Sequence, residues 1–300
     1  MLQAVLLLAI VAAEPSTPLD PVRKIEVDGR TRSYSFHVPP QYDPEKPTPV
    51  VLVFHGAATN CHFITHFSGV NKKADAAGFI AVYPNGTGLV NTLLTWNSGG
   101  LTHREADERP DDVKFVKRLL DDLAQVANID PKRVYATGHS NGAMMCYRLA
   151  VELSDRIAAI APVGGTMGVD VGESQRPVSV IHFHGTLDKL VPWNGPNGGT
   201  REFLTFKSVT DTVRTWASVN GCSEEPVIDS MPDKADDGTT VVRKNYGQGK
   251  DNAEVVLYVI EGGGHTWPGE KSPVAFLGKS TFDISANDLI WEFFQKHPMK

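Results

Sequence analysis

No stretch of the chain reaches the roughly 18 consecutive apolar residues that a membrane-spanning helix needs. The only candidate, Ala4 to Ala13, stops well short, so no membrane span is expected. Positive charge is also in short supply. Lys and Arg total 29 against 35 Asp and Glu, a net charge of −6, which argues against a surface for nucleic acid or an anionic membrane. Cysteine is scarce, and Cys61, Cys146 and Cys222 decide little about redox compartment. An exported chain could pair two and leave one over; if a bridge forms, Cys61 with Cys222 is the expected pair. No internal repeat, low-complexity block or appended binding module is evident.

What the chain does have is enough apolar material for a core. At 300 residues and 41% hydrophobic, it can fold as one large domain or two small ones. Residues 1–13 resemble a secretory signal: Leu6, Leu7, Leu8, Ile10 and Val11 form an apolar region, and Val11-Ala12-Ala13 offers small residues for cleavage. The stretch departs from that pattern in having no Lys or Arg before the apolar run. Pro15, Pro18 and Pro21 make residues 14–22 an extended linker. Residues 23–300 are then expected to form one domain, and the whole to be secreted.

Within that domain, Ile25-Glu26-Val27, Asp28-Gly29 and the alternating Tyr34, Phe36 and Val38 predict a hairpin. Beyond Pro39-Pro40 the pattern changes. Apolar runs at Val50 to Phe54, Phe79 to Tyr83, Val134 to Thr137, Ile157 to Pro162, Val178 to Phe183 and Val255 to Ile260 read as buried strands. Helical spacing falls at Asp111 to Val126, after Ser140, at Val209 to Val219 and at Ala286 to Gln295. This alternation predicts an α/β fold with a mostly parallel central sheet and helices on both faces. The polar segment Glu224 to Lys250 reads as a peripheral excursion with an extra hairpin at Thr239 to Tyr246.

Gly138-His139-Ser140-Asn141-Gly142 lies between a predicted strand and a predicted helix. A Gly-x-Ser-x-Gly in that context is the nucleophile elbow of an α/β-hydrolase, a turn too crowded for side chains on both sides of the serine. A serine hydroxyl needs a neutral histidine to take its proton and an acid to orient that histidine. In this fold they follow in the order acid, then histidine, on loops at the C-terminal edge of the sheet. Asp188, in His184-Gly185-Thr186-Leu187-Asp188, and His265, in Gly262-Gly263-Gly264-His265, meet that order. Asp283 is the rival acid, but it follows the histidine and stands before the last helix, where N-capping is its alternative role. Oxyanion stabilisation needs two backbone N–H donors. Asn141, after the nucleophile, should supply one, and Ala57, in the loop His55-Gly56-Ala57-Ala58-Thr59-Asn60, the other.

Four blocks now carry a specific resemblance: Pro49 to Gly56, Gly138 to Met145, His184 to Asp188 with Val191-Pro192-Trp193, and Gly263 to Gly269. In this order they resemble the polyhydroxybutyrate depolymerase and feruloyl/acetylxylan esterase group, carbohydrate esterase family one, over most of the chain. The resemblance implies an α/β-hydrolase esterase with Ser140, Asp188 and His265 as its triad. Some members carry a cysteine directly after the His-Gly of the oxyanion loop, where this chain has Ala57, so no bridge can start there.

Trp96, Trp193 and Trp267 fall in loops after predicted strands and could stack on a sugar, an aromatic acid or a polymer; packing over the site is their alternative role. Gly195 to Gly199 could form a cleft wall. No lid-sized apolar insertion is evident, which argues against a lipase activated at an oil interface. His62 and His66 could share a helical face beside Cys61, but the His-Glu-x-x-His pattern is missing and no third ligand stands out. No metal or cofactor is expected. His55, His182 and His184 read as structural hydrogen-bonders. The expected function is a secreted serine carboxylic-ester hydrolase, on feruloyl or acetyl esters of plant polysaccharide or related aromatic esters. A polyhydroxyalkanoate or other polyester depolymerase is the alternative, with a serine peptidase, an acyltransferase and a non-catalytic binding scaffold behind it.

Overall fold

The apolar runs become strands of a single sheet. In the computed structural model, which describes residues 22–100, 110–172, 176–196 and 205–300, they are β1 (Val22–Val27), β2 (Arg30–His37), β3 (Thr48–Phe54), β4 (Ile80–Pro84), β5 (Ile129–His139), β6 (Ala159–Val163), β7 (Ser179–Gly185), β8 (Val227–Ser230), β9 (Thr240–Gln248) and β10 (Glu254–Glu261). The helices are α1 (Cys61–Ser68), α2 (Val70–Ala77), α3 (Asp112–Leu123), α4 (Asn141–Glu152), α5 (Val209–Asn220) and α6 (Ala286–Lys296). The strand order is β1-β2-β4-β3-β5-β6-β7-β10-β9-β8. Six parallel strands from β4 to β10 form the centre, and antiparallel pairs extend both edges. This is the α/β-hydrolase architecture expected from the strand-helix alternation.

Every residue of β3, β4, β6 and β7 is buried, because helices cover the parallel centre on both sides. Val50, Leu52 and Phe54 of β3 face a layer that includes α3, α4 and α5. Val51 and Val53, pointing the other way, face α1, α2 and α6. In α3, Phe115, Val116, Leu119, Leu120 and Leu123 are buried and the Asp111 side chain caps the helix by accepting the Lys114 N–H. Burying each such large side chain contributes roughly 1.5–3 kcal/mol. The Asp28-Gly29 turn takes positive φ at both residues (50° and 70°), the conformation a two-residue hairpin loop of this type requires.

Two expectations are corrected. The segment Glu224 to Lys250 does not end in its own hairpin at Thr239 to Tyr246. Residues 240–246 lie in β9, one continuous strand that pairs with β10 on one side and with β8 on the other, so the hairpin of this segment is β8–β9. An added edge needs only backbone partners, so a polar stretch can supply it. The three cysteines are all free. Cys61 packs in the layer of α1, α2 and α6 and Cys222 against the opposite layer, so the sheet stands between them. The predicted signal (1–13) and all but the last residue of the linker (14–22) lie outside the described residues, as do positions 197–199 of the glycine-rich cleft segment.

The register brings the strand ends that matter to one edge. Phe54 pairs with Gly138, His139 with Val163, Val163 with Phe183, and Gly185 with Ile260. The loops that follow these strands therefore converge where a parallel sheet places its sites.

Candidate active site

Ser140 joins β5 to α4 with φ 58° and ψ −121°, a strained conformation for a residue with a side chain, of order 1–3 kcal/mol. The neighbouring glycines explain how the turn fits. A Cβ on Gly142 would lie 2.3 Å from the Phe54 carbonyl oxygen, and one on Gly138 would lie 2.8 Å from Gly142 and Phe54. The Ser140 N–H donates to the Val163 carbonyl at 3.0 Å, and the Ser140 carbonyl accepts the Met144 N–H at 3.0 Å. The serine is thus anchored to β6 and to the first turn of α4.

Asp188 and His265 meet. His265 Nδ1 and Asp188 Oδ2 are 2.6 Å apart, both side chains buried. A carboxylate only accepts, so Nδ1–H donates and Nε2 keeps its lone pair. Asp188 Oδ1 accepts the N–H groups of Leu190 (2.9 Å) and Val191 (2.8 Å). Burial works to raise the Asp188 carboxyl, but the charge and hydrogen bond of His265, with His184 and the Val191 N–H, outweigh it and hold the group below its ordinary range. The loops that carry Asp188 and His265 are also tied by backbone: the N–H groups of Thr186 and Leu187 donate to the carbonyls of Ile260 and Gly263, each at 2.9 Å.

Two adjacent glycines after β6 pack against both residues, Gly165 against Ser140 and Gly164 against His265. A Cβ on Gly165 would stand 2.2 Å from the Ser140 carbonyl oxygen, and one on Gly164 3.3 Å from His265 Nδ1. The His139 and His265 rings are 4.3 Å apart, centroid to centroid. Asp283, the rival acid, is used elsewhere: its Oδ1 accepts the N–H groups of Lys234 and Ala235. Nor does it cap the last helix; Ser285 does.

The loop expected to supply the second oxyanion donor follows β3 and lies against the serine, since a Cβ on Gly56 would be 3.3 Å from Ser140 Cβ. The Gly56 carbonyl accepts from His55 Nδ1–H and from the Thr59 hydroxyl, each at 2.7 Å. A trans peptide sets its N–H opposite its C=O, so pinning that carbonyl turns the Ala57 N–H the other way. Asn141 is the first residue of α4, where a backbone N–H has no intrahelical acceptor. Among the described residues, no hydrogen bond occupies the N–H of Ala57 or of Asn141.

A buried chain of hydrogen bonds lies beside Asp188, and only its histidines were singled out from sequence. Its direction is fixed at one end. The Val191 carbonyl can only accept, so His184 Nε2–H donates to it (2.8 Å). His184 Nδ1 then accepts from His182 Nε2–H (3.1 Å), and His182 Nδ1 from the Tyr147 hydroxyl (2.6 Å). Burial holds both histidines below their ordinary pKa, and therefore neutral.

Two of the three tryptophans are corrected. Trp96 and Trp267 are fully buried and offer no indole face to a substrate. Their N–H groups are satisfied inside, by the His55 carbonyl (2.9 Å) and by Asn287 Oδ1 (3.0 Å). Trp193 is half-buried, edge-on to His184 with ring centroids 6.0 Å apart. His62 and His66 share α1 with Cys61, but among the described residues no group of three His, Cys, Asp or Glu is set to hold a metal. The residues missed from sequence are Gly164-Gly165, Tyr147, Thr59 and the Asn141 side chain. A glycine pair directly after a strand was a signal that could have found the first.

Comparison with known proteins identifies the family. The family profile described as esterase PHB depolymerase matches residues 32–213. The chain is 32% identical to the putative esterase NocK of Nocardia uniformis subsp. tsuyamanensis, across 94% of this chain and 87% of that protein. It is also 32% identical to feruloyl esterase B of Piromyces equi, across 52% of this chain and 29% of that protein. Among solved structures, the acetyl xylan esterase from Aspergillus awamori superposes with a TM-score of 0.63 at 14% identity, covering 92% of this chain and 99% of that one. The last is a likeness of fold.

Proposed function

The chain belongs to the esterase PHB depolymerase family, and from that premise we propose a secreted serine carboxylic-ester hydrolase that works through an acyl-enzyme on Ser140. The observation that carries this reading is the 2.6 Å Asp188–His265 pair beside a serine held at φ 58°. Ser140 Oγ attacks the ester carbonyl as its proton passes to His265 Nε2. The imidazolium, stabilised by Asp188, returns that proton to the leaving alcohol as the C–O bond breaks. Water then enters, gives a proton to the same nitrogen and attacks the acyl carbon, and the carboxylic acid leaves as Ser140 recovers its proton. The N–H groups of Ala57 and Asn141 hold the oxyanion, and each such donor is worth on the order of 10²–10³ in kcat.

We assign the substrates to feruloyl or acetyl esters of plant polysaccharide or related aromatic esters, with Trp193 as the aromatic surface at the cleft. The similarity to feruloyl esterase B supports this class. One observation favours a polyester instead. Leu89, Val90 and Leu93 are exposed on a loop tied to the oxyanion loop through the Leu94 N–H and the Thr59 carbonyl (3.0 Å), an apolar margin suited to a hydrophobic chain. Residues 1–13 act as the export signal and 23–300 as the catalytic domain in this reading.

The test compares kcat/KM on methyl ferulate, acetylated xylan and a hydroxybutyrate oligomer, in wild type and Ser140→Ala. The first reading expects one of the first two to lead, and a lead for the oligomer would favour the polyester. Hydrolysis surviving Ser140→Ala would remove the mechanism.

A further inference from the structure

The residue after the nucleophile is asked only for its backbone N–H, yet here it carries a buried amide. Asn141 is 5% exposed. Its Oδ1 accepts the Trp96 N–H (2.7 Å) and the Thr95 hydroxyl (3.0 Å), while Nδ2 donates to Ser98 Oγ (2.8 Å) and to the Trp96 carbonyl (3.3 Å). Two acceptor sites and two donors are the full capacity of an Asn side chain. A buried amide is costly unless satisfied in this way. All four bonds go to a single loop, residues 95–98.

That loop is held from other sides too. Thr95 exchanges backbone bonds with Thr87 (2.9 and 3.0 Å), the Asn97 N–H donates to Asp112 (2.7 Å), and the Asn97 carbonyl accepts from Arg148 (2.5 Å). The fixed loop drives the Trp96 indole into the core, edge-on to Phe54 at 5.1 Å and against His55 at 4.9 Å. Its N–H donates to the His55 carbonyl at 2.9 Å. The His55 ring is held by the Gly86 N–H (3.0 Å) and in turn pins the Gly56 carbonyl (2.7 Å), which orients the Ala57 N–H. An unbroken series of buried contacts therefore runs from the side chain of one oxyanion donor residue to the backbone of the other.

We infer that Asn141 and Trp96 are positioning residues that fix the two oxyanion N–H groups, of Ala57 and Asn141, relative to each other. The inference rests on the serine-esterase reading above. Donors aimed at the developing oxyanion act in the transition state and little in the ground state. Loosening the strut therefore lowers kcat and leaves KM in place, a split that a lost substrate contact does not produce; a smaller active fraction would lower apparent kcat as well but would leave the affinity for a tetrahedral adduct unchanged.

The test uses Asn141→Asp and Trp96→Phe with p-nitrophenyl butyrate, and Ser140→Ala as reference. Asn141→Asp keeps shape and acceptors but sets an oxygen against the Trp96 carbonyl. Trp96→Phe keeps an aromatic ring and removes one N–H. Each should lower kcat by about 10- to 100-fold with KM within about 2-fold, the scale of a donor displaced by a fraction of an ångström up to about 1 Å. Phenylboronic acid, which forms a tetrahedral adduct on a reactive serine, should bind more weakly by a similar factor. Circular dichroism confirms that the proteins compared are folded, and if Asn141→Asp does not fold, Trp96→Phe decides. Wild-type kcat and boronate affinity in the folded variants, or a change confined to KM, would overturn the inference. Activity persisting in Ser140→Ala would instead overturn the reading beneath it.

Discussion

Placing one methyl group on Gly142 tests how tightly the elbow is built. The added Cβ would stand 2.3 Å from the Phe54 carbonyl oxygen and 2.5 Å from that of His55. Carbon–oxygen contacts ordinarily begin near 3.3 Å, so the shortfall is about 1 Å. The strand cannot supply that distance, because β3 is hydrogen-bonded to β4 on one side and β5 on the other. The start of α4 must move, and with it Ser140 and the Asn141 N–H. Overpacking of this kind costs about 1–3 kcal/mol, whereas a domain typically has 5–15 kcal/mol of stability (an order-of-magnitude range). A 1 Å misplacement of reacting groups can cost about 100-fold in rate. The catalytic effect therefore exceeds the loss of folded protein. Gly142→Ala should remain folded by circular dichroism and urea titration while kcat/KM on p-nitrophenyl butyrate falls about 100-fold. Gly172→Ala, where an added Cβ meets nothing within 4 Å, should be neutral in both. Activity within about 2-fold of wild type in Gly142→Ala would refute the steric account of the elbow.

Acidification should destabilise the fold well before carboxylates titrate. Burial holds His55, His139, His182 and His184 below their ordinary value, so they stay neutral when folded and protonate when unfolded. Their contribution is complete above about pH 6.5 and is lost as pH falls toward the folded values. His55, pushed down to about 4, alone should cost about 2 kcal/mol at pH 5. Asp112 and Glu270, which burial holds above their ordinary range, act in the opposite sense, and Asp188 contributes only below about pH 4. Urea midpoints at pH 7, 6 and 5 should fall in sequence; a flat series would contradict the assignment. Tyr147→Phe leaves His182 Nδ1 buried without its partner and should cost about 1–3 kcal/mol, and an unchanged midpoint would remove the Tyr147 hydroxyl from the buried chain that ends at the Val191 carbonyl. Thiol titration of the unreduced, denatured protein should count Cys61, Cys146 and Cys222 as free; a lower count would contradict the separation of Cys61 from Cys222 by the sheet.

The parts most legible in the sequence are those where one physical demand acts alone. Strands buried on both faces must be apolar throughout, so Val50 to Phe54 and Val178 to Phe183 announced β3 and β7. The elbow was legible because its glycines answer to steric contacts with Phe54 and His55. The Asp188–His265 pair was legible because chain order in this fold leaves few positions after a strand. Where two demands compete, the sequence was silent. Helices α1 and α2 are eight residues each and meet at Gly69, in left-handed conformation, too short for periodicity to stand out. Strands β8 and β9 carry little apolar pattern because they close the sheet edge through backbone pairing. Trp96 and Trp267 looked like substrate surfaces because a loop tryptophan is written the same way whether exposed or buried. Only the acceptors at His55 and Asn287, distant in sequence, decide which it is. The Asn141 strut was hidden for a similar reason, since the residue type after the nucleophile is not dictated by the elbow.

The central claim, that Ser140 is acylated with His265 and Asp188 behind it, is tested most directly by covalent labelling. The protein is treated with a fluorophosphonate and digested, and the modified peptide is sequenced by mass spectrometry alongside residual esterase activity. The account predicts one phosphonyl group on Ser140, loss of hydrolysis in step with labelling, and no label in Ser140→Ala. Full activity in a protein labelled to completion at Ser140, or inactivation with the label on another residue, would contradict it.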